Sequence, residues 1–377
     1  MIISRTPFRI SFFGGGTDYP VWYRENEGAV LATTIDKYCY ISCRYLPPFF
    51  ENKHRIVYSK IEAVKEISEI EHPSVRATLQ FMDIKDGVEI HHDGDLPART
   101  GLGSSSSFTV GLLNTLYALK GIMPTKTQLA QDAINIEQNI LKENVGSQDQ
   151  VLAAFGGFNK IQFKADDSFH INPIIIDGGR LQQLQDHLMF CFTGFSRFAS
   201  VVAKSQIENT NNRRHELWII RQMVDEAIAI LSNSKRDIVE FGALLHESWK
   251  LKKSLSDKIT TPQIDGIYES ARASGAIGGK LIGAGGGGFM LVFAKPADQP
   301  SIKEKLKGVL LVPFQFENNG SQIIVYQPAK QRVESREFIA KTLIDKVRER
   351  MATKESLCSH AEQTGEPENK KTNGRVM

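Results

Sequence analysis

The sequence predicts a two-domain protein built from both helices and strands. Its 377 residues exceed the size of one average domain. Short runs with alternating apolar residues, such as 88–92, are typical of strands, and they recur between longer segments with helical periodicity, such as 125–143. The turn-forming run Asp177-Gly178-Gly179 precedes an apolar strand at 188–193, which we expect to open the second domain.

Three segments follow from this division. We expect a first domain at residues 1–180 and a second at 181–330. The segment 331–377 begins with a charged stretch whose apolar residues recur on one side of a helix. It ends in a polar tail rich in Gly, Pro and Lys, which we expect to be disordered and dispensable because it has too few apolar side chains to bury.

Composition and charge narrow the class of protein. Hydrophobic residues make up 41% and charged residues 24% of the chain, which is usual for a globular protein with a sizeable core. The formal net charge of +3 is too small to indicate a nucleic-acid or membrane partner. No segment has the roughly 18 consecutive apolar residues of a membrane span. Four scattered cysteines and no secretory leader favour the cytoplasm, and the oligomeric state stays open.

A glycine- and serine-rich run, PARTGLGSSSS at 97–107, joins the strand at 88–92 to an apolar helix at 108–119. Glycine lets the backbone turn tightly, and the first turn of a helix offers unpaired N–H groups and a positive dipole end. The run therefore predicts a phosphate-binding loop. The alternative is a serine cap in an ordinary loop, and the Walker pattern is not matched. The candidate ATP-binding residues are Gly101, Leu102, Gly103, Ser104, Ser105 and Ser106.

Another glycine turn, Gly14-Gly15-Gly16, ends the first predicted strand at 2–13, which we expect Pro7 to break. Asp18 lies at the exit of this turn. Asp is a common turn former, so a plain hairpin is one interpretation. The other makes Asp18 an acceptor for sugar hydroxyls, with Gly15 and Gly16 leaving room for a bulky substrate.

Two acidic residues, Glu137 and Asp149, follow the serine-rich run. Glu137 borders the apolar face of the helix predicted at 125–143, and Asp149 lies in the turn that comes after it. On its own, Glu137 is equally well explained as a solvated helix charge. The functional alternative is a magnesium ligand, because Mg²⁺ prefers carboxylate and phosphate oxygens.

Basic residues that could clamp a phosphate are less clearly marked. Arg197 lies next to the start of a helix predicted at 199–208, and guanidinium groups pair well with phosphate and carboxylate oxygens. A plain surface arginine is an equal alternative. Lys37 and Arg44 are weaker candidates for the same role.

The motifs together resemble the three signatures of the GHMP sugar kinases. PFRISFFGGGTDY is similar to the first, GLGSSSS to the second and GAGGGGF to the third, in this order over roughly residues 1–330. Galactokinases have a Glu-His pair where this chain has Gly15 and Gly16, which argues against galactose as the substrate. Within the family, the motifs are most similar to those of the kinases that act on D-glycero-D-manno-heptose 7-phosphate.

This resemblance implies an α+β fold of two domains. The N-terminal one would resemble ribosomal protein S5 domain 2, and the C-terminal one a ferredoxin-like plait. It also implies transfer of the ATP γ-phosphoryl group to the anomeric C1 hydroxyl of a small-molecule phosphosugar. The resulting 1,7-bisphosphate would feed GDP-heptose and surface polysaccharide synthesis.

Roles for single residues follow from the same resemblance. Asp149 would orient the sugar hydroxyl and accept its proton, with Arg9 neutralising charge beside it. Ser105 and Glu137 would place Mg²⁺. Asp18 would hold sugar hydroxyls. The third glycine run would close over the ATP phosphates from the second domain, through Gly285, Gly286 and Gly287.

Two other functions stay open. One is another anomeric sugar kinase of the family, such as one acting on fucose. The other is a non-catalytic homologue that binds sugar and ATP to regulate transcription. Intact Ser105, Glu137 and Asp149, with no DNA-binding extension, argue against the regulator.

Overall fold

A large sheet is built around two long adjacent strands in the computed structural model, which describes residues 1–47, 49–98, 100–194 and 199–328. Strand β1 (Ile2–Phe13) pairs antiparallel with β2 (Gly28–Tyr45) along nearly its whole length. Pro7 does not end β1, because the register shifts between Pro7 and Phe8 and the pairing continues beyond it.

The other strands are shorter and complete two sheets. They are β3 (His54–Val57), β4 (Ile61–Val64), β5 (Val88–Gly94), β6 (Phe158–Phe163), β7 (Phe169–Pro173), β8 (Leu188–Phe192), β9 (Ala276–Leu281), β10 (Phe289–Ala294), β11 (Leu310–Leu311), β12 (Phe316–Glu317) and β13 (Gln322–Tyr326).

Strand β2 organises the large sheet because it has several partners on the side away from β1. Its first part pairs with β6, its middle with β12 and its last part with β5. The order is β13-β1-β2-β5-β3-β4, and β7 extends the sheet beside β6. Strands β12 and β13 come from the region 181–330, which we predicted to be a second domain, but they pair with strands of the large sheet. The boundaries of the domains stay a prediction.

The small sheet has the order β11-β8-β10-β9, with antiparallel pairing throughout. All six residues of its inner strand β10 are buried. This is the apolar strand expected after the third glycine run, and β8 is the apolar strand expected to open the second domain.

Helices cover these sheets. They are α1 (Pro20–Asn26), α2 (Pro73–Phe81), α3 (Ser104–Leu119), α4 (Lys126–Ile134), α5 (Gln148–Phe155), α6 (Gly178–Asp186), α7 (Ala199–Asn209), α8 (Arg214–Ser232), α9 (Val239–Ser254), α10 (Pro262–Ala273) and α11 (Gln299–Lys305). Short 3₁₀ turns lie at Ile67–Glu69 and Thr210–Arg213, and a π-helical segment lies at Asn135–Ile140.

Helix α3 packs on the large sheet, mainly against β1 and β2. Twelve of its 16 residues are buried, so it is covered on more than one face, as its apolar sequence predicts. Its close approach to β1 is marked by the Ser4 hydroxyl, which donates to the Gly111 carbonyl (2.9 Å). The burial of α3 fixes the position of its first turn, which carries the serine-rich run.

Residues 1–46 and 50–328 form one compact unit. The charged helix and tail expected at 331–377 lie outside the described residues. Among the helices of the described ranges, none combines the length and apolarity needed to cross a bilayer.

Candidate active site

A bidentate ion pair between Arg9 and Asp149 lies at the centre of the site. Arg9 Nε donates to Asp149 Oδ1 (2.6 Å), and Arg9 Nη2 donates to Oδ2 (2.7 Å). The planar guanidinium matches a carboxylate in this way, which fixes orientation as well as distance. The Arg9 side chain is 5% exposed, whereas that of Asp149 is 23% exposed. The carboxylate can therefore meet a ligand while a buried arginine orients it.

The serine-rich loop, the run at 97–107, packs directly against this pair. Gly103, which precedes α3, has a φ of +72°, and a Cβ built on it would lie 3.2 Å from Asp149 Cγ. The Gly101 carbonyl accepts a hydrogen bond from Arg9 Nη1 (2.6 Å), and the Leu102 carbonyl accepts one from the Arg9 N–H (3.2 Å). The first turn of α3, with its unpaired N–H groups, therefore begins beside Asp149.

The third glycine run packs onto the first loop through backbone atoms. A Cβ on Gly283 would lie 2.5 Å from the Gly101 Cα, a separation that only glycine permits. The Phe289 N–H donates to the Thr100 carbonyl (3.3 Å), and the Gly286 N–H donates to the Ile259 carbonyl (2.8 Å). The run at 283–288, including Gly285 and Gly287, thus lies against the serine-rich loop. Contact of either loop with ATP stays a prediction.

Glu137 lies fully buried in the π-helical segment that directly follows α4. Such segments often mark functional sites. Its Oε2 accepts hydrogen bonds from the Ser106 hydroxyl (2.8 Å) and from the Gln150 amide. Its Oε1 is buried without a hydrogen-bond partner among the described residues. Burial raises the pKa of Glu137 to about 7, against the lowering effect of the hydroxyl groups beside it.

The hydroxyl that contacts Glu137 belongs to Ser106, one residue after the serine we predicted as its partner. Ser106 is buried, whereas Ser105 is exposed and Ser104 is partly buried at the start of α3. The helical rotation of about 100° per residue places the two neighbours on different sides of α3. A magnesium role for Ser105 stays a prediction.

Asp18 is buried at the exit of the first glycine turn. Its Oδ1 accepts from the Gly16 N–H (2.9 Å), and its Oδ2 accepts from the Gln148 amide (2.9 Å), one residue before Asp149. Burial raises the pKa of Asp18, and the negative charge of Asp149 raises it further. The structure therefore brings Asp18 and Asp149 to the same site. At Gly15, no heavy atom of the described chain would lie within 4 Å of an added Cβ.

Two buried lysines, which sequence reasoning missed, lie between the sheets. Lys280 in β9 donates to the Phe12 carbonyl in β1 (2.8 Å). Lys252 in α9 donates to the carbonyls of Leu281 (2.9 Å) and Gly283. They are only 4% and 7% exposed. Lys280 directly precedes the third glycine run, which was a usable signal, whereas Lys252 lies in an unremarkable charged helix.

The two ammonium groups share an electrostatic environment with the ion pair. Burial lowers the pKa of Lys280 to about 7, and the positive charge of Arg9 lowers it further. Burial also lowers the pKa of Lys252, together with the charges of Lys280 and Arg9. The carboxylate of Asp18 opposes this effect for both lysines. The site thus combines three buried basic side chains with two carboxylates.

The predicted phosphate clamps have different outcomes. Arg197 lies outside the described residues. Lys37 pairs with Asp36 (3.0 Å), and Arg44 pairs with Glu89. Both of these basic groups are therefore already engaged by carboxylates.

Two family models match the chain at the regions that build this site. The GHMP kinases N terminal domain matches residues 61–157, which include the serine-rich loop, Glu137 and Asp149. The GHMP kinases C terminal model matches residues 226–310, which include Lys252, Lys280 and the third glycine run. The chain belongs to the GHMP kinase superfamily. Members of this superfamily are phosphotransferases that use ATP as the phosphate donor.

Relatives of this GHMP kinase act on different sugars. The D-glycero-alpha-D-manno-heptose 7-phosphate kinase of Campylobacter jejuni is 27% identical over 320 residues, which span 81% of this chain and 93% of the relative. The L-fucokinase/L-fucose-1-P guanylyltransferase of Bacteroides fragilis is 27% identical over 229 residues. That match spans 57% of this chain but only 23% of the relative.

Solved structures confirm the two-domain α+β GHMP kinase fold. A D-glycero-D-manno-heptose 1-phosphate kinase from Bacteroides thetaiotaomicron has a TM-score of 0.70 at 23% identity. The match covers 87% of this chain and 100% of that one. The resemblance of the glycine motifs to this family thus predicted the fold correctly.

Proposed function

We propose that this GHMP kinase transfers the γ-phosphoryl group of ATP to the anomeric C1 hydroxyl of D-glycero-D-manno-heptose 7-phosphate, in the cytoplasm. The product is the 1,7-bisphosphate, a precursor for GDP-heptose. The observation that carries the proposal is the Arg9–Asp149 pair placed against Gly103 at the start of α3. The heptose kinase relative, similar over most of both chains, supports the choice of sugar.

Asp149 acts on the acceptor. Each of its oxygens accepts one hydrogen bond from Arg9, and a carboxylate can accept more than two. It can therefore also accept a hydrogen bond from the sugar hydroxyl, orient that oxygen for in-line attack and take its proton. Arg9 is a positioning residue, because its contact with the Gly101 carbonyl ties Asp149 to the phosphate-binding loop.

The two glycine loops act on the donor. The unpaired N–H groups of the first turn of α3 suit the phosphates of ATP, and the run at 283–288 covers this loop from the second sheet. Phosphoryl transfer needs positioning and charge neutralisation more than covalent chemistry. Preorganised backbone donors meet the first of these needs.

The residues around Glu137 fit a magnesium ion. Glu137 Oε1 is a buried carboxylate oxygen without a hydrogen-bond partner among the described residues, and carboxylate oxygens are hard ligands of the kind that Mg²⁺ prefers. Glu137 and Ser105 would hold the ion, and Ser106 and Gln150 would orient Glu137. An ion held there would neutralise charge on the phosphate oxygens of ATP during transfer.

Asp18 holds the sugar. Its carboxylate is anchored by the Gly16 N–H and by the Gln148 amide, next to Asp149. A fixed acceptor beside the base orients neighbouring hydroxyls, which lowers the entropy cost of reaching the reactive geometry.

A fucose-type anomeric kinase is the second candidate function. The fucokinase relative from Bacteroides fragilis, as identical to this chain as the heptose kinase but over fewer residues, favours it. Both functions use the same Asp149 and glycine loops, so only the sugar pocket separates them.

An ADP-release assay with heptose 7-phosphate, fucose and mannose tests the proposal. We expect the highest kcat/KM with heptose 7-phosphate, and ³¹P NMR should show the new phosphate on C1. Asp149→Asn is the matched control for contaminating kinase activity. A preference for fucose would move the function to the second candidate. Binding of sugar and ATP without turnover would instead favour the non-catalytic regulator.

A further inference from the structure

The first three residues of α5 each contact a different charged side chain of the candidate active site. The contacts are Gln148 Nε2 to Asp18 Oδ2 (2.9 Å), Asp149 to Arg9, and the Gln150 amide to Glu137. The three side chains point in different directions because a helix turns by about 100° per residue. Gln148 therefore joins the proposed sugar site at Asp18 to the proposed base, which is its neighbour in the chain.

The backbone before α5 packs closely around Asp18. A Cβ on Gly146 would lie 1.9 Å from Asp18 Oδ2, so only glycine fits there. The Ser147 N–H donates to the Asp18 carbonyl (3.0 Å). These contacts hold the start of α5 against Asp18. The position of the Gln148 amide is therefore set by the backbone as well as by its own hydrogen bond.

The carbonyl oxygen of the Gln148 side chain, Oε1, is buried without a hydrogen-bond partner among the described residues. The residue as a whole is 8% exposed. Reversing the amide would not satisfy the oxygen, because Oε1 would then face an acceptor oxygen of Asp18. Most buried polar atoms have partners, and an unpaired one beside a reacting group indicates a donor on the ligand.

The sugar has a donor that matches this oxygen. We expect Asp149 to take the proton of the C1 hydroxyl and Asp18 to bind other hydroxyls, so Gln148 lies between these two contacts. Carbon C1 has two neighbours in the ring, the ring oxygen and C2. The ring oxygen is only an acceptor, whereas the hydroxyl on C2 can donate. Asp149 is partly exposed, which gives a sugar access to this part of the site.

We propose that Gln148 is a sugar-binding residue whose Oε1 accepts a hydrogen bond from the C2 hydroxyl, while its Nε2 holds Asp18 in place. The inference rests on the proposed transfer to C1 and specifies which acceptor sugars the enzyme recognises. A sugar without a hydroxyl on C2 leaves Oε1 unpaired. Sites built to bind a hydroxyl reject analogues that lack it for this reason.

Gln148→Met tests the inference with one pair of sugars. For the wild type and the variant, ADP release gives kcat/KM with D-glycero-D-manno-heptose 7-phosphate and with its 2-deoxy analogue. The readout is the ratio of the two kcat/KM values. The effect of removing the C2 hydroxyl on the reactivity of C1 is the same in both enzymes, so it cancels when the ratios are compared.

Gln150→Met is the matched control. Gln150 is also buried, its amide also donates to a carboxylate, and its Oε1 also lacks a partner among the described residues. Its sugar ratio should equal that of the wild type, whereas more Mg²⁺ should be needed for half-maximal activity. A second control is Gln182→Met in α6, which removes an exposed amide that donates to Asp186 (2.7 Å). This variant should behave like the wild type.

We expect the wild type to prefer the sugar with the C2 hydroxyl and Gln148→Met to lower that preference about ten- to a hundredfold, as the loss of one buried hydrogen bond predicts. Methionine keeps the length of the side chain but has no amide. Gln148→Asn keeps the amide and draws it back by one methylene group, so it should lose the preference as well. It replaces Gln148→Met if that variant does not fold.

Several results would overturn the inference. If the wild type phosphorylates heptose 7-phosphate and Gln148→Met keeps the sugar ratio, the inference fails while the proposed function stands. The same holds if both sugars lose kcat/KM equally, because Gln148 would then only anchor Asp18. If the wild type prefers fucose, the ratio is measured with fucose and 2-deoxyfucose, and the same outcomes decide. If the wild type releases ADP with none of the sugars, the proposed function fails and the inference fails with it.

Discussion

The charged groups on the two sides of the site differ in how they are balanced. On the side of the large sheet, Arg9 and Asp149 form a bidentate pair, and the carboxylate stays partly open to solvent. On the side of the small sheet, the ammonium groups of Lys252 and Lys280 are almost fully buried and donate to backbone carbonyls. One side holds an ion pair whose carboxylate is partly exposed, and the other holds two buried basic groups whose pKa values are lowered.

We infer from this difference that Asp149 takes part in the reaction, whereas the two lysines support the structure around it. A group that reacts with substrate must be reachable, and Asp149 meets this condition while Arg9 fixes its geometry. A buried ammonium bonded to carbonyls costs free energy in the apo protein, because desolvation opposes the charged form. Lys280 ties β9 to β1 just before the third glycine run, and Lys252 ties α9 to Gly283 at the start of that run, so their cost is tied to the position of that loop.

The largest effect on kcat is expected for a change in the Arg9–Asp149 pair. Asp149→Asn should lower kcat about 10²- to 10⁴-fold, because an amide cannot take the proton of the hydroxyl and pairs less well with Arg9. ATP affinity, measured by calorimetry, should change little. A purified and folded variant with the turnover of the wild type would remove Asp149 from the mechanism.

A smaller loss should follow from disturbing the geometry of the same pair. Gly103→Ala places a Cβ 3.2 Å from Asp149 Cγ at a φ of +72°, where a side chain is strained. We expect kcat to fall about ten- to a hundredfold, because displacement of a catalytic group on the scale of an ångström has such an effect.

Gly121→Ala, just after the end of α3 and with the same φ of +72° as Gly103, is the matched control for that substitution. The added methyl group meets no heavy atom of the described chain within 4 Å. Its kcat should therefore stay close to that of the wild type. Equal losses in both variants would show that Gly103 has no special relation to Asp149.

Burial of Lys280 should make the free energy of unfolding depend on pH. The pKa of Lys280 is about 7 in the folded protein and returns to about 10.5 on unfolding. The unfolded chain therefore binds one more proton between these pH values, and the free energy of unfolding rises with pH across this window. Lys280→Met should remove this contribution, which amounts to about 1.4 kcal/mol per pH unit.

Urea denaturation of both proteins at pH 7, 8 and 9 measures the effect. The stability of the wild type relative to Lys280→Met should increase as the pH rises. A difference that does not change with pH would mean that Lys280 keeps an ordinary pKa in the folded protein.

The smallest effects are expected for the hydroxyl groups near Glu137. Ser105→Ala should raise the Mg²⁺ concentration for half-maximal activity because it removes an exposed oxygen ligand. Ser106→Ala should raise it because Glu137 loses a hydrogen bond of 2.8 Å. Each shift should be about two- to tenfold, the value of one hydrogen bond. Glu137→Gln serves as the reference for complete loss of the carboxylate, and unchanged Mg²⁺ titrations in all three variants would contradict a magnesium site here.

Local sequence was sufficient to locate the loops and the acidic residues. A glycine with positive φ before an apolar helix has a limited set of structures, so the turn at Gly103 and the start of α3 could be predicted from neighbouring residues. Glu137 and Asp149 follow this loop in the sequence, and Arg9 lies in the run that resembles the first signature. These features predicted that the three side chains belong to one site.

The tertiary structure decided which side chains meet. Ser106 rather than Ser105 contacts Glu137, 31 positions away, because the rotation of α3 is fixed by its burial on β1 and β2. Lys280 meets Phe12 across 268 positions, and β13 returns to pair with β1. Such contacts depend on how the free energy of packing two distant segments compares with the entropy of ordering the chain between them. Neighbouring residues in the sequence do not determine that balance, so the buried positions of Lys252 and Lys280 became visible only in the folded chain.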